Sequence, residues 1–135
     1  MSDTPPSHEG TLPEVLGFEA IEVGPELARA RFEVRQCHKQ PYGIVHGGVY
    51  AALAETLASV ATAEAVLADG NIAMGMANQT SFMRPVTGGH VHAEARRRHK
   101  GRTTWVWDVD MTDDEGRLCS LSRMTIAVRP APGRP

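Results

Sequence analysis

From Ala28 to Arg35 apolar and polar positions alternate one for one. Ala28, Ala30, Phe32 and Val34 fall on one side, and Arg29, Arg31, Glu33 and Arg35 on the other. A period of two is that of a half-buried strand. Gly17–Val23 predicts a strand before it, turned by Gly24-Pro25. After a loop over Gln36–His46, the pattern changes: Gly47–Ala68 is rich in alanine and leucine, has no proline and has glycine only at its start, which predicts a helix. Asp69-Gly70-Asn71 ends it. Four strands are predicted beyond it: Ile72–Met83, stopped by Arg84-Pro85; His90–Lys100, with Val91, Ala93 and Ala95 on one face; Thr103–Thr112, with Trp105, Trp107, Val109 and Met111 on one face; and Arg117–Arg129, with Leu118, Met124, Ile126 and Val128 on one face. Gly101-Arg102 and Asp113-Asp114-Glu115-Gly116 supply the turns. The order is strand, strand, long helix, four strands. One helix cannot cover both faces of six strands, so an α+β fold is expected, a six-stranded antiparallel sheet wrapped around one long central helix.

The 135 residues suit one domain. Its bounds are expected at 14–130, with Pro-rich tails at 1–13 and 131–135. The polar start lacks the basic and apolar stretches of a signal peptide, and no apolar run reaches the roughly 18 residues of a bilayer span. A cytoplasmic protein with no membrane partner is expected, which leaves the glycosylation pattern Asn78-Gln79-Thr80 without meaning. Cys37 and Cys119 are isolated and expected to be reduced thiols. A net charge of −2 argues against nucleic-acid binding. The local exception is the run from Arg96 to Arg102. His90 and His92 share a strand face without a third ligand, so they are read as structural and no metal is expected. The two tryptophans are read as core.

Between Gly47 and Thr62 the helix carries a single ionisable carboxylate, Glu55, among Ala51, Ala52, Leu53, Ala54, Leu57 and Ala58. A helix apolar nearly all round is expected to be buried on most sides, and a buried carboxylate is costly unless it is paired or used. Taken alone, the helix fits a satisfied structural glutamate and a reactive one equally. Just before it, His46-Gly47-Gly48 opens the helix, where unpaired N–H groups and the positive end of the dipole can stabilise charge developing on an oxygen. Glu55 lies about 12 Å further along the axis, too far for one thioester to meet both groups of one chain. Two antiparallel helices across a twofold axis would bring the Gly47 amide of one chain to Glu55 of the other, so a homodimer with shared sites is expected.

The segment from His46 to Ser59 resembles the helix motif of the hotdog-fold acyl-CoA thioesterases. The resemblance is closest to the 4-hydroxybenzoyl-CoA thioesterases that carry a glutamate on the central helix. Asn78–Val86, Thr103–Val109 and Gly116–Cys119 resemble the same branch, and the likeness runs from Gly17 to Pro130. It implies that Glu55 is the nucleophile or general base, that the Gly47 amide polarises the thioester carbonyl, and that Gln40 sits beside that carbonyl. It also implies that His46 orders the loop and that Ser59, one turn after Glu55, helps place water, where a threonine is expected. For coenzyme A, which is part of the substrate and no separate cofactor, it implies Arg84, Arg102, Thr103 and Thr104; Arg129 or Arg134 would replace a basic C-terminal end. The implied activity is hydrolysis of an aromatic acyl-CoA in aromatic degradation, by a dimer of dimers. A 1,4-dihydroxy-2-naphthoyl or phenylacetyl group remains open, because Pro13, with Glu14 adjacent, stands where the relatives carry an acidic residue. A non-catalytic acyl-CoA-binding domain would keep the arginines without needing Glu55.

Overall fold

The computed structural model of the chain describes residues 7–133. A short helix α1 (Leu12–Val15) leads into strands β1 (Glu19–Val23) and β2 (Leu27–Glu33). A single 3₁₀ turn, Gln36–His38, then precedes the long helix α2 (Gly47–Val66). The remaining strands are β3 (Asn71–Phe82), β4 (His90–Lys100), β5 (Thr104–Thr112) and β6 (Leu118–Pro130). All strand pairs are antiparallel, in the order β1-β2-β4-β5-β6-β3. The expected six-stranded sheet around one helix is therefore the observed hotdog architecture. Residues 1–6 and 134–135 of the expected tails, Arg134 among them, lie outside the described residues. Helix α1 begins at Leu12, inside the rest of the expected N-terminal tail, and Ala131 is buried, its N–H on the Gly70 carbonyl.

Helix α2 buries a stripe at helical spacing: Tyr50, Leu53, Ala54, Leu57, Ala58, Ala61 and Thr62. Its small residues admit the large ones of the sheet, Phe32, Trp107, Met111, Met124 and Ile126, all fully buried. Each such side chain contributes roughly 1.5–3 kcal/mol on leaving water. His46 caps the helix start, its Nδ1 accepting the Gly48 N–H at 2.8 Å. Gly70, at φ +75°, follows the closing 3₁₀ turn Leu67–Asp69. Together the helix and this turn are long and apolar enough to cross a membrane by length and composition. The buried stripe faces the sheet, so this is a core helix.

Two expectations are corrected. The helix is not enclosed on most sides: Ala51, Ala52, Thr56 and Ser59 are half-buried and Glu55 is exposed, because the curved sheet covers one flank only. Leu118 does not join the buried face of β6; it is 39% exposed. The β5–β6 register shifts at Met111/Thr112, and the extra residue turns Leu118 outward while Cys119 and Ser120 go inward.

Candidate active site

Of the sequence-predicted residues, Gln40, His46, Gly47, Glu55, Ser59, Arg84 and Arg102 line three clefts, while Thr103 and Thr104 line none of these. The first lies at the start of α2 and holds Gln40, His46, Gly47 and Arg84, with Tyr50, Phe82 and Pro85. Its loop is built on His38, which is fully buried. The His38 Nδ1 accepts the Arg35 N–H at 2.8 Å, so its Nε2 is the donor to the Leu16 carbonyl, also at 2.8 Å. The His38 carbonyl in turn accepts the His46 N–H at 2.8 Å, which ties the helix start to this loop. Gln40 is fixed inside its own turn, its Oε1 accepting the Tyr42 N–H. Gly47 is the first residue of α2, so its N–H has no partner within the helix. A Cβ at Gly47 would lie 2.7 Å from the Phe82 ring, so glycine is what lets that ring close over the helix start. Burial raises the pKa of the Tyr50 phenol, and its hydroxyl has no partner among the described residues.

The second cleft holds Glu55 and Ser59, with Ala51, Ala52, Thr56, Val60 and Asn78. The expected one-turn spacing thus places the carboxylate and the hydroxyl together. Strand β3 reaches this cleft through a bulge at Gly75/Ala77. A Cβ at Gly75 would stand 3.1 Å from Glu55 Cδ, so the glycine makes room for the carboxylate. Asn78 Nδ2 donates to the Ala51 carbonyl at 2.9 Å and lies 3.4 Å from Glu55 Oε1. His8, Pro13, Thr56 and Val60 also line a neighbouring cleft of about 350 Å³, whose walls include Phe18, Ala30, Leu53 and Leu57. The carboxylate therefore borders an apolar recess, roofed by the N-terminal segment expected to be a tail. Asn78 did not stand out in the sequence as part of the site; of this segment only Pro13 and Glu14 did, as a departure that bears on the acyl group. The bulge shifts the alternation of β3, and α1 is too short to leave a periodic trace.

The third cleft, about 570 Å³, lies at the other end of α2 and holds Arg102 with Lys100, Glu64, Asp69 and Trp105. Fourteen residues separate Gly47 from Ala61 on its wall, about 21 Å of helix. Arg84 and Arg102 are thus not brought together within one chain. Thr103 and Thr104 sit beside Arg102 at the hairpin; the Thr103 carbonyl accepts from Arg129 Nη1 at 2.6 Å. Much of the expected basic cluster is already committed: Arg96 pairs with Glu94, Arg98 with Asp108, and Arg97 with Glu26 while stacking over Trp105. Arg84 and Arg102 have no carboxylate partner among the described residues. His92 bonds Asp114 at 2.8 Å on the outer face.

A family model described as Thioesterase superfamily matches residues 42–120. The chain is 39% identical over 119 residues to the proofreading thioesterase EntH of Cronobacter turicensis, covering 88% of this chain and 86% of that one. It is 36% identical over 118 residues to a 1,4-dihydroxy-2-naphthoyl-CoA hydrolase of Listeria monocytogenes, covering 87% and 95%. A thioesterase crystal structure from Haemophilus influenzae superposes with a TM-score of 0.83 at 34% identity, covering 91% of this chain and 85% of that one. With the sheet-wrapped helix and its clefts already described, these matches place the chain in the thioesterase superfamily, as a hotdog-fold hydrolase of acyl thioesters.

Proposed function

We propose that the substrate is an aromatic acyl-CoA, hydrolysed to the free acid and coenzyme A. The observation that carries this reading is the position of Glu55, an exposed carboxylate on a core helix, beside an apolar recess walled by Phe18, Leu53 and Leu57. A thioester carbonyl held near Glu55 would direct its acyl group into that recess. Glu55 acts as nucleophile or general base, and the Gly47 N–H polarises the carbonyl with Gln40 beside it; His46 holds the loop and Ser59 helps place water. If Glu55 attacks directly, its carboxylate oxygen adds to the carbonyl, the C–S bond breaks to release the coenzyme A thiolate, and water cleaves the mixed anhydride that remains. If it acts as base, Glu55 takes a proton from water as its oxygen adds to the carbonyl, and the adduct then breaks its C–S bond to release the thiolate and the free acid. Arg84, and Arg102 with Thr103 and Thr104, serve the phosphates of coenzyme A. A fused-ring group such as 1,4-dihydroxy-2-naphthoyl is a second reading, favoured by the 36% identity to the Listeria hydrolase.

The working unit is a homodimer. Gly47 and Glu55 line different clefts of one chain, and β3 is a 12-residue edge strand with Met74, Met76 and Phe82 exposed. Such an edge is a template for another strand. A dimer of dimers extends the same proposal.

Thiol release from 4-hydroxybenzoyl-, benzoyl-, phenylacetyl-, 1,4-dihydroxy-2-naphthoyl- and hexanoyl-CoA tests the reading. An aryl preference is expected, with Glu55→Ala losing at least about a hundredfold in kcat. Equal turnover of hexanoyl-CoA would remove the aromatic assignment. Full activity in the Glu55→Ala variant would remove the role of the carboxylate. Single turnover in oxygen-18 water separates the two routes, because label in Glu55 requires direct attack.

A further inference from the structure

The geometry points to Asn78 as the positioning residue for Glu55, held in that task by a hydrogen-bond relay from the sheet; this rests on Glu55 being the reacting carboxylate. Three observations carry the inference. First, the direction of the relay is determined. Thr80 Oγ1 donates to Asn78 Oδ1 at 2.5 Å and lies 2.6 Å from Ser122 Oγ. Threonine has one hydroxyl hydrogen. Since Asn78 Oδ1 can only accept, that hydrogen goes to Asn78, and Ser122 must donate to Thr80. Ser122 is 2% exposed, so the relay starts in the core.

Second, the acceptors on the helix fix the orientation of the amide, and the relay holds it there. With Oδ1 turned to Thr80, Nδ2 faces the Ala51 carbonyl at 2.9 Å and Glu55 Oε1 at 3.4 Å. Both are acceptors when Glu55 is ionised. The flipped amide would set three oxygens, those of Asn78, Ala51 and Glu55, against one another. One N–H of Asn78 is therefore anchored one helical turn before Glu55, and the other is aimed at the carboxylate.

Third, the backbone is shaped for the contact. In register, Gly75 pairs with Ile126, and Asn78 with Met124; both partners are fully buried beneath the helix. Plain alternation from Gly75 would put Ala77, not Asn78, on that face. The bulge adds one residue and brings Asn78 and Thr80 to it, while Gly75 leaves space for the Glu55 side chain. An exposed glutamate on a helix has several rotamers, and holding one of them is a contribution to rate through orientation, not through substrate affinity.

The test uses the full chain with its best acyl-CoA. Asn78→Leu, close in shape but without donors, should lower kcat about tenfold with KM changed less than about twofold. Thr80→Val should lower kcat by roughly threefold, through loss of amide orientation. Because Thr80 acts through Asn78, the double variant should be no slower than Asn78→Leu alone. A structural role for Thr80 would instead make the two losses multiply, which overturns the relay. Unchanged kcat in Asn78→Leu, with Glu55→Ala inactive, overturns the positioning role and leaves the catalytic reading intact; activity retained in Glu55→Ala removes that reading itself. If Asn78→Leu does not fold, Thr80→Val decides alone, and wild-type kcat there overturns the proposal.

Discussion

Thr62 shows how one hydroxyl can serve the core without touching the chemistry. It is fully buried, accepts the Trp107 indole N–H at 2.9 Å and donates to the Ala58 carbonyl at 2.8 Å. Thr62→Val keeps the shape and leaves the indole N–H without a partner in the core. The expected cost is about 1–3 kcal/mol in urea unfolding, with kcat unchanged; an unaltered midpoint would mean that the indole finds another acceptor. In the sequence, Thr62 was one more residue of a helical stripe. Glu55 was legible because a lone carboxylate in an apolar helix is conspicuous. The exposure of Glu55 was not legible, since helical periodicity does not say how far a sheet curls. Asn78 was hidden by a glycosylation-like pattern and by a bulge that no alternation rule locates.

At the scale of elements, β4 and β5 were readable because their inner faces carry apolar residues at every second position. Strand β6 was readable only from Met124 onward, where no bulge disturbs its pairing with β5 and the extra residue opposite it belongs to β3. The turn between β5 and β6 has its own electrostatics. Asp113 accepts the N–H groups of Glu115 and Arg117 at 3.0 and 2.9 Å, and Arg117 Nε at 2.9 Å. The Arg117 backbone N–H is the main cause that holds this carboxyl below the usual range. A carboxyl with a lower pKa folded than unfolded contributes stability that is complete above the unfolded value, about 3.9. That contribution is lost as pH falls through the folded value. Asp113→Asn should therefore be less stable than wild type at neutral pH, and the gap should narrow on acidification below about pH 4. Urea midpoints at neutral pH and at about pH 3 check this; an equal gap at both would show that the charge is not responsible.

For the whole molecule, the question is whether one chain holds a complete site. The proposed dimer predicts complementation between two inactive proteins. Glu55→Ala keeps Gln40 and Gly47, and Gln40→Ala keeps Glu55. A mixed dimer would contain one intact site, assembled from the unaltered half of each chain. Refolding an equal mixture should restore about a quarter of wild-type activity, since half of the dimers are mixed and each has one of two sites. No recovery, with mixed dimers verified by mass, would mean that each site belongs to one chain. From the sequence, the dimer could be suspected through the distance between Gly47 and Glu55 and through the family resemblance. The length of the β3 edge gives it a physical surface.

The N-terminal segment that walls the apolar recess is fastened by few bonds. Leu16 is held by His38, and the Val15 carbonyl accepts from Arg35 Nη2 at 3.0 Å. Gly17, at φ +70°, lies under the same guanidinium, where a Cβ would stand 2.9 Å from Nη2. One wall of the apolar recess is thus a separate piece from the helix that bears the carboxylate, which supplies the facing wall through Leu53 and Leu57. Such a piece can diverge quickly in evolution, or be exchanged between relatives by an engineer. Chain length and ring size of the preferred acid could then be retuned while the reaction centre is inherited unchanged.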